Sequence, residues 1–174
     1  MIGEVTGLFA SEESFNSNVV SLASYSFGQT FTVTPLALIR AQAACINGGY
    51  LYTPYVVDQV LDDEGNIIEQ HEVTPVRQVI SEETSAIVHQ CLEYVVASGT
   101  GKNGQVVGYR IGGKTGTADK TGTGDVVVSF MCFAPADDPQ YIMLLTMDTP
   151  SRNTGVYVSG GNMVAPTASQ IMSE

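Results

Sequence analysis

The order of apolar and polar positions divides the chain into an irregular start, two helices, a hairpin and a set of strands. Residues 1–33 are rich in Gly, Ser, Asn and Thr and hold few periodic apolar positions, which predicts extended loop. At Pro35 the pattern changes. Leu36, Ile39, Ala43 and Ile46 recur at helical spacing, with Thr34 placed as an N-cap and Pro35 in the first turn. Asn47-Gly48-Gly49 accepts the positive φ that ends a helix, so the first helix is predicted over about Pro35–Ile46. Two β-rich runs, 56–61 and 67–70, flank the turn cluster Asp62-Asp63-Glu64-Gly65-Asn66 and predict a hairpin with a solvated acidic tip. A second helix opens at Ser81, with Glu82 and Glu83 at the positive end of its dipole. Ile87, Cys91, Tyr94 and Val95 form its predicted apolar stripe, and Ser98-Gly99-Thr100-Gly101 stops it.

Three strands follow, at about 109–117, 126–134 and 141–147, the last two joined by a turn over 135–139. Connections this short imply antiparallel neighbours. A closing helix is predicted over 164–172, with Pro166 near its start. There is no internal repeat and no linker that would divide two domains. The fold class is therefore α/β of the α+β type: an antiparallel sheet of about three strands with packed helices.

Composition narrows the function. Of 174 residues, 44% are hydrophobic and 14% charged, enough apolar material for a core. The net charge of -11, with only seven Lys and Arg, excludes a nucleic-acid partner, since phosphates need cations. No run reaches the roughly 18 apolar residues of a membrane span, so no membrane contact is expected of this segment. Glu4 and Thr6 interrupt the start and no basic region precedes an apolar run, so Met1 reads as an imposed start rather than a leader. Cys45, Cys91 and Cys132 lie far apart in apolar stretches, away from His71 and His89, and are expected to be buried free thiols. No metal or cofactor is implied.

The chemistry concentrates in Ile111-Gly112-Gly113-Lys114-Thr115-Gly116-Thr117-Ala118. A cation and two hydroxyls alternate with glycine on a predicted strand. Lys114 could fix a carboxylate or depress a neighbour's pKa. The Thr115 hydroxyl could donate to a substrate carboxylate, and Gly116 would let another backbone approach. The Thr117 N–H, on an open edge, could serve as an oxyanion donor, and an extended peptide could pair there. A plain glycine-rich strand end accounts for the same residues.

A second pattern overlaps the first. Residues 108–115 match the phosphate-binding pattern G-x4-G-K-T, and the run ending at Asp148 resembles a magnesium-holding strand. A nucleotide site needs a helix beginning at Lys-Thr. Gly116 and the run Lys120-Thr121-Gly122-Thr123-Gly124 disfavour one. Nucleotide binding thus remains a remote alternative.

Lys114-Thr115-Gly116-Thr117 also resembles the K-T-G-T box of penicillin-binding proteins and serine β-lactamases. Further segments resemble class B penicillin-binding proteins in the same order. Residues 26–36, from Ser26-Phe27-Gly28-Gln29 to Thr34-Pro35-Leu36, are similar to a segment of that family in which glycine is usual where Thr30 stands. Ala44-Cys45-Ile46-Asn47-Gly48-Gly49 resembles a family helix end, and residues 96–101 resemble the loop before the K-T-G strand. Phe130-Met131-Cys132-Phe133-Ala134-Pro135 is similar to a family strand. Gly160-Gly161 with Val164-Ala165-Pro166 resembles the start of its last helix. The resemblance implies a partial penicillin-binding/serine β-lactamase-like fold, with residues 1–174 as the C-terminal portion of a transpeptidase domain. The parent activity would cross-link peptidoglycan stem peptides through a serine acyl-enzyme at the extracytoplasmic face of the membrane. The partners implied are the stem peptide, β-lactams and the N-terminal part of the same domain. Lys114, Thr115, Gly116 and Thr117 would bind substrate, with Lys114 and the Thr117 N–H also serving the catalysis.

The family acts through two further boxes, S-x-x-K and S-x-N. No Ser-x-x-Lys occurs here; Thr117-Ala118-Asp119-Lys120 is only a threonine look-alike. Ser14-Phe15-Asn16 spells S-x-N but lies too close to Phe27-Gly28-Gln29 to be the family box. The chain alone is expected to be inactive. The alternative is a naturally truncated, non-catalytic domain that binds peptidoglycan or a partner protein.

Overall fold

The computed structural model describes residues 4–174; Met1, read above as an imposed start, lies outside them. The first segment is not all loop. It holds two short helices, α1 (Glu12–Ser17) and α2 (Val19–Ser26). Caps make them: Ser11 Oγ accepts from the Ser14 N–H at 3.2 Å, and Asn18 Oδ1 accepts from the Val20 N–H at 3.0 Å. Periodicity missed them because they bury almost nothing along a helix face. Aromatic contacts tie them down instead, Phe15 edge-on to Tyr25 at 5.0 Å and Tyr25 against Phe31 at 4.9 Å.

Thr30, where the resembling family has glycine, adopts φ 69°. A β-branched residue is strained there, by about 1–2 kcal/mol. Its Oγ1 lies 2.9 Å from that of buried Ser24, a partial offset. Thr30→Gly is therefore expected to raise stability by about 0.5 kcal/mol after the greater chain entropy of glycine is subtracted. Thermal melting checks this: a lower melting temperature would mean that the hydroxyl pair outweighs the backbone strain.

Helix α3 (Pro35–Ile46) forms as predicted, its Thr34 Oγ1 accepting from the Ala37 N–H at 3.1 Å. Four short strands follow: β1 (Tyr50–Tyr52), β2 (Gln59–Leu61), β3 (Ile67–Gln70) and β4 (Pro75–Gln78). The β2–β3 hairpin is the predicted one, shorter and exposed throughout, while the antiparallel β1–β4 pairing was not expected. Helix α4 (Glu82–Ser98) starts on Ser81, whose Oγ accepts from the Thr84 N–H at 3.2 Å. Its predicted stripe is mostly turned outward: Ile87, Cys91 and Tyr94 are exposed, Val95 is half-buried, and Ser85 and Val96 are the fully buried positions. Apolar spacing gave the helix but not the side that the sheet covers.

The main sheet runs β5 (Gly112–Asp119), β6 (Val126–Ala134), β7 (Tyr141–Asp148), antiparallel with β6 in the middle. β5 begins three residues later than predicted, because residues 109–111 serve other partners. Arg110 pairs with Glu93 at 2.6 Å, and its carbonyl accepts from the Ala136 N–H at 2.8 Å. After β7, a single π-helical turn, Gly160–Val164, leads into α5 (Ala165–Met172).

Both faces of β6 are covered, which is why it reads as a nearly continuous apolar run. Val126, Val128, Phe130, Cys132 and Ala134 meet Val96 of α4 and Ala165 and Ala168 of α5. Met131 and Phe133, on the other face, meet Ile46 of α3 and half-buried Leu92. Of the cysteines expected to be buried, only Cys132 is fully so, its thiol pushed up to about 12 by burial. Cys45 is half-buried and Cys91 exposed, because it lies on the misassigned stripe of α4.

His89 packs its ring 4.9 Å from that of Phe133, and burial lowers its pKa from 6.5. Arg110 adds to the lowering, while Glu93 and Asp137 oppose it. The folded state thus resists a proton that the unfolded chain takes up below its ordinary value. Stability is expected to fall as pH drops through about 6.5, and less so in His89→Gln; denaturant midpoints between about pH 7 and 5 give the comparison.

Candidate functional site

The register of the sheet decides what the Lys114–Thr117 segment can present. The Lys120 N–H donates to the Asp125 carbonyl at 2.8 Å. Antiparallel pairs alternate between bonded and non-bonded, so Ala118–Val127, Gly116–Ser129 and Lys114–Met131 are the bonded pairs of β5 and β6. The β6–β7 ladder agrees, since the Thr149 N–H donates to Val126 O at 2.9 Å and sends the other β6 residues to β7. The N–H and C=O groups of Thr115 and Thr117 therefore point away from β6, off the free edge of β5.

Side chains alternate in the same way. Lys114 and Gly116 share a face with Ser129, Met131, Leu144 and Thr146. Between this face and the segment from Phe27 to Gln42 lies a cavity of about 530 Å³. A second cavity, of about 630 Å³, is bounded by the loop after α4, by Thr115 and Thr117, and by Tyr157 to Asn162. Thr115 and Thr117 line both cavities, so the open edge is the seam between them.

All four predicted site residues thus sit together. Lys114 is exposed, its Nζ donating to the Thr115 carbonyl at 2.9 Å. The Thr115 hydroxyl lies 3.0 Å from that of Thr100. A Cβ on Gly116 would come within 2.4 Å of Ser129 Oγ, so a side chain there would push into the sheet's own polar face. Lys120 is engaged elsewhere: it binds Asp148 at 2.7 Å and holds that carboxyl below its usual range, so it does not serve Thr117. Ser14 and Asn16 sit on α1 and line neither cavity.

The nucleotide reading fails on the same geometry. Lys114 and Thr115 lie inside β5, which continues through Asp119, so no helix N-terminus is presented at this position. Asp148 is occupied by Lys120. Among the described residues, no group of three His, Cys, Asp or Glu could hold a metal ion.

Sequence reasoning missed the far walls of the second cavity. Thr100 and Gly161 were read only as helix boundaries. They meet because Gly161 is pressed onto the Thr100 carbonyl, where a Cβ would fall 2.4 Å away. The Gly-Gly pair was the available signal, since adjacent buried glycines mark a close backbone approach.

Comparison with known proteins agrees with the resemblance. The family model described as the penicillin binding protein transpeptidase domain matches residues 1–173. Stage V sporulation protein D of Bacillus subtilis is 41% identical over 178 residues, covering 99% of this chain and 27% of that protein. A peptidoglycan D,D-transpeptidase FtsI homolog of Mesostigma viride is 36% identical over 155 residues, 79% of this chain and 26% of that one. The solved D,D-transpeptidase domain of a peptidoglycan glycosyltransferase from Eggerthella lenta superposes with a TM-score of 0.66 at 26% identity, covering 84% of this chain and 34% of that one. The chain spans about a quarter of the length of these curated relatives.

Proposed function

Because the chain belongs to the transpeptidase-domain family of class B penicillin-binding proteins, we propose that it forms the substrate-holding wall of a peptidoglycan D,D-transpeptidase. The observation that carries this reading is the free edge of β5, with Lys114, Thr115 and the outward Thr117 N–H at the seam of two cavities. A peptide extended along that edge would pair with the outward groups of Thr115 and Thr117. Lys114 and the Thr115 hydroxyl would orient its terminal carboxylate.

In this mechanism a serine from another part of the protein attacks the carbonyl of the penultimate D-alanine. Its proton passes through the local network to the departing D-alanine amine. The Thr117 N–H stabilises the oxyanion, together with the N–H of the serine itself. An amine of a neighbouring stem then displaces the serine and forms the cross-link. β-Lactams imitate the peptide and remain on the serine.

Residues 1–174 are, on this reading, the C-terminal portion of the catalytic domain, and the sequence contains no Ser-x-x-Lys. The N-terminal portion would seat against the face that carries Lys114, Ser129 and Thr146, where the first cavity stands open. The parent would work at the extracytoplasmic face of the membrane. No described helix is long and apolar enough to cross a membrane.

A fluorescent penicillin tests the reading. The full-length protein is expected to be labelled covalently, and residues 1–174 alone to remain unlabelled. Labelling of the isolated chain would overturn the external nucleophile, and failure of the full-length protein would overturn the transpeptidase.

A further inference from the structure

The Thr115 side chain is held from two sides. Its hydroxyl lies 3.0 Å from that of Thr100, and its methyl faces Gly161, where an added Cβ would come within 3.5 Å of it. Packing and the hydrogen bond thus select the same rotamer. Thr100 is itself fixed through its backbone. The N–H groups of its neighbours, Gly99 and Gly101, both donate to the Val95 carbonyl, at 3.0 and 3.1 Å, and its own carbonyl is pressed against Gly161. Asn103 Nδ2 holds that glycine in turn, donating to its carbonyl at 2.8 Å. The loop after α4 therefore presents one hydroxyl at a set place beside Thr115. A hydroxyl has one proton to give and two lone pairs to accept with. Between Thr100 and Thr115 either oxygen can be the donor. A carboxylate only accepts, so Thr115 commits its one proton when it donates to a substrate carboxylate. The pair then persists only with Thr100 as donor.

We propose that Thr100 is a positioning residue for the terminal carboxylate of the substrate. It donates to Thr115 Oγ1 and so aims the Thr115 proton at the carboxylate, without touching substrate itself. The bond that Thr115 receives also polarises its hydroxyl and strengthens the bond that it gives. The inference rests on the transpeptidase reading and adds to that site a residue from outside Lys114-Thr115-Gly116-Thr117.

The test is the acylation rate of the full-length protein with two probes. One is a fluorescent penicillin, whose carboxylate stands for that of the peptide; the other is its methyl ester, in which the negative charge is gone. Thr100→Val removes the hydroxyl at nearly constant shape. It is expected to slow acylation by the acid about fivefold and to leave the ester rate within about twofold. Thr100→Ser should keep the acid rate. In a Thr115→Val protein, adding Thr100→Val should cost less than about twofold, because the hydroxyl that Thr100 serves has gone. Equal slowing of acid and ester by Thr100→Val, or the same loss persisting in the Thr115→Val protein, would make Thr100 a purely structural residue and overturn the proposal. An unchanged acid rate in Thr100→Val would overturn it too, and would leave the transpeptidase reading standing. Failure of the unsubstituted protein to label with the acid would overturn that reading, and this inference with it.

Discussion

Replacing Gly160 with alanine is expected to destabilise the domain by at least about 3 kcal/mol and to disable the site with it. An added Cβ would lie 2.0 Å from the Ser129 carbonyl oxygen and 2.7 Å from that of Gly116. Both are backbone atoms, and Gly116–Ser129 is a bonded pair of the β5–β6 ladder, so neither can rotate away as a side chain would. Relief requires the π turn to lift off the sheet. That movement would carry Gly161 away from Thr100 and open the second cavity. Gly65→Ala at the hairpin tip is the control: its φ is +86° but nothing lies within 4 Å, so only the backbone penalty of about 1 kcal/mol applies. Denaturant unfolding of the full-length variants gives the comparison. A Gly160→Ala protein no less stable than Gly65→Ala would mean that the contact is looser than the geometry implies.

The parts legible in the sequence were those fixed by local chemistry. Thr34 and Ser81 were readable as caps because a hydroxyl at an N-cap acts within three residues. β6 was readable to the residue because both of its faces are buried. What failed depended on distant partners. The turn of α4 toward the sheet was decided by packing against β5 and β6, not by its own apolar count. The start of β5 moved because Glu93 and Ala136 claimed Arg110. The site divides in the same way. Lys114-Thr115-Gly116-Thr117 was visible as a segment, although a phosphate-binding pattern fitted it as well. The strand geometry separates the two readings, because one needs a helix to begin at Lys114 and the other needs an open edge.

That open edge permits a substitution that isolates the Thr117 amide. Thr117→Pro deletes the N–H and leaves the β5–β6 ladder intact, because this N–H points away from β6. Proline is tolerated on an edge strand in this orientation, and the residue before it, Gly116, is already extended within β5. If the amide is the oxyanion donor, the acylation rate of the full-length protein with a fluorescent penicillin should fall by about 10²–10³-fold. Thr117→Ala removes only the hydroxyl and keeps the N–H, so its loss should stay within about tenfold. Ala118→Pro serves as the opposite case. Its N–H belongs to a bonded pair with Val127, so proline there should weaken the sheet itself and lower the melting temperature. The informative pattern is slow acylation at an undiminished melting temperature for Thr117→Pro alone. Equal rates for Thr117→Pro and Thr117→Ala would remove the amide from the mechanism and leave Thr117 as a hydroxyl contact.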